Sequence, residues 1–283
     1  MGRRDPILRN LCLTVLAFFC IAGAPARADV VINFLDVGEG DAIHIAVSSG
    51  EHILIDAGNV MTGHRVVRFL QKEGVTELAA LIITHPHPDH MGGVFAILDR
   101  IPVKRVYDNG QGLPGAKGED LLRWYGESVR TREHFRELKA GETLRFGEMT
   151  MDVLWPRAPA SANWNHNSLV LRLLSGNQSV LLMGDAGISV EEQLLASGID
   201  LQASVLKVGH HGYRDATGPS FLERVSPQFA VISVNDENVR GYPSAEVLDR
   251  LRAHEIDTLL TNVEGHIRFV IQGEELERRQ PKK

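Results

Sequence analysis

The stretch Leu81–Gly93, which reads LIITHPHPDHMGG, decides how this 283-residue sequence is interpreted. An apolar run ends there in four potential metal ligands, which are His85, His87, Asp89 and His90. An extended chain places residues two apart on the same side, so His85 and His87 can reach one ion while Asp89 and His90 face a second. The alternative is a histidine-rich surface turn. A ligand cluster between two apolar periodic segments favours half of a dinuclear metal site.

The chain repeats one pattern of elements. HILIDAG (His52–Gly58) and VLLMGDAG (Val180–Gly187) each predict a strand that closes in an Asp-Ala-Gly turn. Each is followed by a helical stretch and by a second strand ending in histidine, LIITH (Leu81–His85) in the first half and SVLKVGHH (Ser204–His211) in the second. Two such units would pack as two sheets covered by helices, with both ligand-bearing edges at one shared rim.

The first 28 residues have the pattern of a cleavable secretory signal. Arginines precede the apolar stretch Leu11–Ala22, and small residues precede Asp29. The apolar stretch is shorter than the ~20 residues that cross a bilayer, so we expect no stable membrane anchor. The sequence therefore predicts a signal peptide at 1–28, a single domain at 29–283, and an exported protein that is periplasmic or secreted.

Both cysteines, Cys12 and Cys20, lie inside the predicted signal. The mature chain would therefore offer metal ions only nitrogen and oxygen ligands, which suit zinc first and manganese or iron second. The whole chain has 30 basic and 36 acidic residues, and removal of four basic and one acidic residue leaves a net charge of −9. This charge does not favour nonspecific DNA binding, and the one basic cluster is the C-terminal set Arg278, Arg279, Lys282 and Lys283.

Helical spacing extends over Thr62–Glu73, Glu119–Phe135 and Ser244–His254. The glycine-rich segment Gly110–Gly118 lacks a phosphate-binding motif and predicts a surface loop that could overhang the site. These segments fit one α/β domain.

Seven sequence blocks resemble the metallo-β-lactamase superfamily and, more narrowly, the hydrolase domain of the DNA-uptake competence protein ComEC. They are FLDVGEGDA (Phe34–Ala42), LIDAG (Leu54–Gly58), THPHPDHMGG (Thr84–Gly93), NSLVLRL (Asn167–Leu173), LLMGDAG (Leu181–Gly187), LKVGHHG (Leu206–Gly212) and YPSAEVLDRL (Tyr242–Leu251). The HxHxDH motif alone identifies only the superfamily, whereas the full ordered set resembles the ComEC-like branch. The resemblance implies a four-layer αββα sandwich in a single domain.

The resemblance also implies site roles. The implied metal ligands are His85 and His87 for the first ion, Asp89, His90 and His210 for the second, and Asp185 between them. Asp89 and His211 are the implied catalytic residues, with His211 as a hydrogen-bond donor to the reacting oxygen. Asp56 is implied to orient a metal ligand without touching the ion, the alternative being a turn aspartate that caps the following helix.

The third ligand of the first ion is left open. Many superfamily enzymes have a histidine there, whereas the ComEC-like branch tends to carry asparagine in the segment that here reads NWNHNSLVL. His166 in that segment, next to Asn165, is either a ligand or a solvent-exposed loop histidine. Tyr213 and Tyr242 depart from the branch, where serine and histidine are common, so the inherited substrate is in doubt. Tyr242 either donates a hydrogen bond to the leaving group or packs as an ordinary side chain.

The sequence predicts a hydrolase that uses two divalent ions, zinc first and manganese second. Such ions lower the pKa of water to around 7 and stabilise charge developing on a substrate oxygen. Hydrolysis of a small-molecule or nucleic-acid phosphodiester is the leading prediction, and hydrolysis of a lactone or β-lactam is the alternative. A binding module that holds one structural ion without activity is a second alternative, against which the intact ligand set argues. No protein partner is predicted.

Overall fold

The computed structural model describes residues 2, 29–113, 120–157, 161–237 and 239–280. The predicted signal peptide, part of the Gly110–Gly118 loop, and Lys282 and Lys283 lie outside the described residues. Every helix in the described ranges is too short or too polar to span a bilayer.

Two β-sheets form the centre of the described chain, with strands numbered in chain order. The first sheet has the spatial order β15 (Glu275–Arg279), β14 (Ile267–Gln272), β1 (Asp29–Phe34), β2 (Ile43–Val47), β3 (His52–Ile55), β4 (Ala80–Ile82), β5 (Val106–Asp108) and β6 (Phe135–Glu137). The second has the order β13 (Asp257–Leu260), β12 (Phe229–Ile232), β11 (Val205–Lys207), β10 (Gln178–Leu182), β9 (Val170–Ser175), β8 (Met149–Trp155) and β7 (Thr143–Phe146).

The predicted internal repeat is visible in the strand directions. Strands β3 to β6 pair in parallel, as do strands β10 to β13. The remaining neighbours in each sheet pair antiparallel. Since parallel strands require crossovers, each half places helices on one face of its sheet.

Helices cover the outer face of each sheet. They are α1 (Gly63–Lys72), α2 (Pro88–Met91), α3 (Val94–Arg100), α4 (Asp120–Ser128), α5 (Ile188–Ser197), α6 (Pro219–Val225), α7 (Ala245–Ala253) and α8 (Thr261–Glu264), with 3₁₀ turns at Trp164–Asn167 and Gly209–Gly212. Apolar residues of α1, α3 and α4 share a core with the first sheet, and those of α5, α6 and α7 share one with the second. A third core lies between the sheets. The predicted four-layer αββα sandwich is confirmed.

Period-two alternation explains how one strand serves two cores. In β3, Ile53 and Ile55 belong to the core between the sheets, whereas Leu54 belongs to the core beneath the helices. Successive strand side chains point to opposite faces, so a strand with helix on one side and sheet on the other must be apolar throughout. Each such side chain contributes about 1.5–3 kcal/mol through burial.

The helix predicted over Glu119–Phe135 is wrong in its second half. The described helix α4 ends at Ser128, and Phe135 begins strand β6. Arg130 leaves the helical path because its Nε donates to Asp108 Oδ2 at 2.7 Å and its Nη1 donates to the carbonyl of Gln111 at 2.7 Å. Phe135 then pairs with Val106 at the sheet edge. Tertiary contacts override helical spacing here.

The carboxyl ends of four parallel strands meet at one rim. Asp56 follows β3, His85 follows β4, Asp185 follows β10 and His211 follows β11. A backbone hydrogen bond from Leu169 N to the carbonyl of Thr84 at 2.9 Å joins the two halves beside this rim. The fold therefore brings the ligand-bearing ends of both repeats together.

Candidate metal centre

Asp185 lies at the centre of a buried cluster. Its Oδ2 is 3.6 Å from His85 Nε2, while its Oδ1 is 3.2 Å from His90 Nε2 and 3.5 Å from His211 Nε2. Its side chain is only 3 % exposed. One oxygen thus faces the His85 side and the other faces His90 and His211, which is the geometry of a carboxylate able to bridge two ions.

Asp56 fixes the orientation of His90. It adopts a left-handed backbone conformation, with φ 56°, after β3. Its carboxylate accepts hydrogen bonds from Thr84 N and Thr84 Oγ1, both at 2.8 Å, and from His90 Nδ1 at 2.7 Å. Because a carboxylate only accepts, Nδ1 of His90 carries a proton, and Nε2 is the nitrogen left to face Asp185 and a metal ion. The residue before helix α1 is Thr62, so the helix-capping alternative for Asp56 is wrong.

His85 and His87 face each other through ring nitrogens. Among the groups of described residues that could hold an ion, one contains His85 with His90 and Asp185, and none contains His87. His85 Nε2 lies 2.8 Å from His87 Nδ1, and the two rings are 4.6 Å apart. Two nitrogens bound to one tetrahedral zinc ion at about 2.0–2.1 Å lie about 3.3 Å apart, so little movement separates this pair from ligand spacing. The side chain of His87 also stacks on Trp164, with ring centroids 5.4 Å apart.

The structure places His211, rather than His210, in the cluster. His211 is 1 % exposed, and its Nε2 lies 3.7 Å from Asp89 Oδ2. Its Nδ1 donates to the carbonyl of Ser233 at 3.0 Å, which leaves the Nε2 lone pair for a metal. The groups of described residues that could hold an ion include His211 with Asp89 and His90, and they do not include His210. These positions favour His211 over His210 as a ligand, the reverse of the assignment that the resemblance implies.

His210 lies at the mouth of the centre. Its Nε2 is 3.1 Å from Asn165 Nδ2, and its Nδ1 is 3.4 Å from Asp215 Oδ1. Its ring is 5.1 Å from that of Tyr213 and 5.7 Å from that of Tyr242. Tyr242 also stacks on His211, with ring centroids 6.3 Å apart, so its side chain borders the cluster.

His166 points away from the cluster. Its Nε2 lies 3.3 Å from Ser189 Oγ, and its carbonyl accepts from Trp155 Nε1 at 2.7 Å. Asn165, the residue before it, faces the cluster instead, because its side chain contacts both His87 and His210. The sequence leaves His166 open as a ligand or a loop histidine, and its contact with Ser189 agrees with the loop alternative.

Several polar atoms of the cluster lack a partner that a cation would supply. His90 Nε2, Asp185 Oδ1 and His211 Nε2 are buried and have no hydrogen-bond partner within the described residues. An orphaned buried polar atom costs about 1–3 kcal/mol, so such atoms rarely converge without a ligand. Their donor chemistry, imidazole nitrogen and carboxylate oxygen, fits zinc, manganese or iron.

The protonation preferences of the cluster also fit cation binding. Burial and the neighbouring His90 hold the pKa of His85 well below its usual value, so His85 is the neutral imidazole that metals bind. Burial lowers the pKa of His90, but Asp185 and Asp56 more than offset it and raise that pKa well above its usual value. Burial alone would raise the pKa of Asp185, yet His90 and His211 hold it well below its usual range. The cluster therefore attracts positive charge.

Two cavities of the described chain are large enough to receive a substrate. A cavity of about 570 Å³ adjoins the cluster and is lined by His87, Pro88, Leu121, Leu122, Ala162, Asn163 and Trp164. A larger one of about 950 Å³ lies between strands β7–β8 and helix α5, and its lining includes none of the cluster residues. The first cavity is the one that chemistry at the centre could use.

Comparison with known proteins agrees with this geometry. ComE operon protein 3 of Bacillus subtilis is 30% identical over 277 residues, which cover 92% of this chain and 35% of that protein. Recombination protein 2 of Haemophilus influenzae is 31% identical over 272 residues, which cover 94% of this chain and 32% of that protein. The chain thus spans about a third of the length of these curated relatives. The predicted resemblance to DNA-uptake competence proteins is confirmed.

A solved structure shares the fold. The metallo-beta-lactamase fold protein YhfI from Bacillus subtilis superposes with a TM-score of 0.54 at 12% identity, covering 89% of this chain and 100% of that one. A sequence profile described as the metallo-beta-lactamase superfamily matches residues 35–234, well over half of the sequence. The chain belongs to the metallo-beta-lactamase superfamily.

Proposed function

We propose that this protein is a metal-dependent phosphodiesterase with a dinuclear centre. The observation that carries the proposal is the convergence of partnerless ligand atoms around Asp185, within a motif set that provides ligands for two ions. We assign His85 and His87 to the first ion, Asp89, His90 and His211 to the second, and Asp185 to both. Zinc is the first candidate metal and manganese the second.

The chain's own residues supply orientation and a proton donor. Bound divalent ions would lower the pKa of water and stabilise charge on the substrate oxygens. Asp56 keeps His90 in the tautomer that binds, and Ser233 does the same for His211.

We assign His210 the role first expected of His211, because its Nδ1 lies 3.4 Å from Asp215 Oδ1. Burial lowers the pKa of His210, but Asp215 and Asp185 more than offset it and raise that pKa. The protonated ring can then donate from Nε2 when substrate replaces Asn165 there.

The proposed substrate is a phosphodiester. Two ions would clamp the attacking and leaving oxygens of a phosphoryl group. The names of two relatives, Recombination protein 2 and Competence protein ComA of Neisseria gonorrhoeae, support nucleic acid as the source. The net negative charge of the chain argues for contact with only a few phosphate groups of a nucleic acid. Arg278 and Arg279 of the basic tail are paired with Glu264 and Glu277. The apolar cavity beside His87 and Trp164 would then receive a base or another leaving group rather than the backbone.

The N-terminal 28 residues support export as part of the proposal, with the active domain outside the cytoplasm. Cell fractionation with antibody detection tests this, and a full-length chain found only in the cytoplasm would contradict it.

The activity test compares three substrates on one preparation. Purified protein loaded with zinc or manganese is assayed on bis-p-nitrophenyl phosphate, single-stranded DNA and nitrocefin, beside a His87→Ala, Asp89→Ala double variant. Metal-dependent phosphodiester cleavage that the double variant loses supports the proposal. Turnover of nitrocefin alone would overturn it in favour of a β-lactam or ester hydrolase.

A further inference from the structure

A buried ion pair lies directly beneath the metal centre. Lys207, the last residue of β11, is 0 % exposed, and Asp41 is 1 % exposed. Lys207 Nζ lies 2.8 Å from Asp41 Oδ2 and donates a second hydrogen bond to the carbonyl of Val208 at 3.1 Å. A fully buried lysine is rare without such a partner, since desolvating an ammonium costs several kcal/mol.

Only one oxygen of Asp41 is used by this pair. Asp41 Oδ1 is buried and has no hydrogen-bond partner among the residues that the structure describes. One ligand atom of Asp41 lies within 4.8 Å of ligand atoms of Asp185 and His211, and Asp41 also groups in this way with Asp56 and His90. Asp41, which keeps one oxygen unpaired, therefore belongs to the same cluster as the proposed ligands of the second ion.

The backbone holds Asp41 in this position. The carbonyl of Asp41 accepts from Gly58 N at 2.8 Å, which ties its loop to the turn after β3. The preceding Gly40 has φ 117° and touches the backbone of Asp89 so closely that a Cβ would overlap the Asp89 carbonyl oxygen. Asp41 is thus fixed against the loop that carries Asp89, one of the proposed ligands.

We propose that Asp41 is a further ligand of the second ion, held by Lys207 so that one oxygen faces the metal. This inference rests on the dinuclear centre of the proposed function. Asp41 would be the third carboxylate there, after Asp89 and Asp185, and would raise the protein ligands of that ion from four to five. Zinc sites are mostly four-coordinate, whereas manganese prefers six ligands with many oxygens. The added carboxylate would therefore raise the affinity of the second position for manganese more than its affinity for zinc.

Lys207 has a defined part in this selectivity. It occupies Asp41 Oδ2 and so prevents that carboxylate from binding through both oxygens. It also cancels the charge of Asp41, which keeps the net charge of the loaded centre suitable for an anionic phosphodiester.

The test is metal binding by the full chain rather than activity. Metal-free protein is titrated with Mn²⁺, with the free ion followed by electron paramagnetic resonance, and with Zn²⁺ in competition; bound metal is counted by elemental analysis. We expect Asp41→Asn to weaken Mn²⁺ binding at one of two positions by about tenfold to a hundredfold, with a smaller loss for Zn²⁺. Unchanged Mn²⁺ affinity in Asp41→Asn would overturn the inference.

The double variant Asp41→Asn, Lys207→Met separates a ligand from a structural ion pair. It removes both buried charges, so it avoids the unpaired ammonium that Asp41→Asn leaves and covers the case in which the single variant does not fold. A ligand role predicts that the double variant still binds Mn²⁺ about tenfold or more weakly at one position. A purely structural role predicts affinity equal to that of the unmodified chain, and that result would overturn the inference.

Two controls complete the test. Asp108→Asn removes a buried carboxylate paired with Arg130, outside the ligand groups found in the described residues, and should leave Mn²⁺ affinity unchanged. The unmodified chain must bind two ions; fewer would contradict the proposed dinuclear function itself. Two ions in the unmodified chain together with full affinity in the Asp41 variants would contradict only the role of Asp41.

Discussion

Two consecutive histidines, both in left-handed backbone conformations, point to opposite sides of the chain and have different proposed roles. His210 has φ 47° and His211 has φ 53°, in a turn that follows β11. Non-glycine residues adopt this region rarely and at a cost, so the surrounding contacts must hold the turn. The turn sends His211 inward to Ser233 and Asp185 and sends His210 outward to Asn165 and Asp215.

Replacing each histidine by alanine should give different defects. We expect His211→Ala to lose one of two bound ions, because it removes a ligand of the second ion. His210→Ala should keep both ions while kcat falls about 100-fold, because it removes a proton donor. Elemental analysis and steady-state kinetics measure the two effects. Loss of an ion from His210→Ala, with His211→Ala fully loaded, would restore the assignment that the sequence first predicts.

We expect substitution of Gly40 to weaken metal binding, because Gly40 packs directly against the backbone of Asp89. Alanine at Gly40 combines a positive φ with an overlap against the Asp89 carbonyl, so the loop must move and displace Asp89. We expect the affinity for the second ion to fall at least tenfold and the unfolding free energy to fall by about 1–3 kcal/mol. Gly50→Ala is the matched control, since Gly50 has φ 85° and no neighbour within 4 Å. Equal effects of both variants on metal binding would show that backbone strain, and not Asp89, is responsible.

At the scale of elements, helix α5 is hydrogen-bonded to the end of the loop that carries Tyr213 and Asp215. Glu191 of α5 is 1 % exposed and accepts hydrogen bonds from Thr217 N at 2.6 Å and Gly218 N at 2.7 Å. These residues follow Tyr213 and Asp215 and lead into α6. Burial raises the pKa of Glu191 to about 7, although the two backbone donors lower it. The carboxyl group therefore links the active-site loop to the helical layer.

Removing this link should destabilise the loop and weaken catalysis. We expect Glu191→Ala to cost about 2–4 kcal/mol in unfolding free energy, because two buried N–H groups lose their acceptor, and to lower kcat through the displaced Asp215. Stability from a raised carboxyl pKa is lost as pH rises from the unfolded value towards about 7. The cost should therefore be larger at pH 5 than at pH 9, measured by urea unfolding. The adjacent exposed Glu192→Ala is the control, and an equal loss there would contradict the role of Glu191.

Elements with local signals could be predicted from the sequence, whereas those set by distant contacts could not. The helix predicted over Ser244–His254 is observed as α7, Ala245–Ala253, because Ser244 caps it by accepting from Val247 N at 3.3 Å. Strand β6 was missed because its pairing with β5 depends on residues about 30 positions away. The potential ligands of the HPHPDH motif could be recognised from one short segment. The preference for His211 over His210 could not, because it depends on a hydrogen bond to Ser233, in the segment after β12.

For the whole molecule, the repeat accounts for how one chain brings together ligands for the two proposed ions. Each half ends its parallel strands at the same rim, and the core between the sheets locks the halves together. The first half supplies the HPHPDH ligands, and the second supplies Asp185 and His211. The pairing of Asp41 with Lys207 spans 166 positions in sequence and joins the halves directly beneath the metal centre. No pattern within one segment could have predicted that contact.

A buried histidine network fastens the outer face of the first sheet and should make the fold acid-sensitive. His44 of β2 is 1 % exposed; its Nδ1 accepts from Asn33 Nδ2 at 3.1 Å, and its Nε2 lies 3.1 Å from His52 Nδ1. Arg268 of β14 donates to Asn33 Oδ1 at 2.6 Å, which fixes the amide in this orientation. A proton on His44 Nδ1 would face the Asn33 amide hydrogens. Burial lowers the pKa of His44 to about 3, and His52 and Arg268 add to the effect.

This network predicts that acid weakens the fold. The unfolded chain binds a proton at His44 near pH 6.5 and the folded chain near pH 3, so stability is lost as pH falls between these values. From pH 7.5 to pH 5 we expect His44 to account for about 2 kcal/mol of lost unfolding free energy, measured by urea unfolding of metal-free protein. His44→Gln, which cannot titrate, should show a pH dependence smaller by that amount, whereas exposed His64→Gln should match the unmodified chain. An unchanged pH dependence in His44→Gln would contradict the prediction, because it would mean that folding does not lower the pKa of His44.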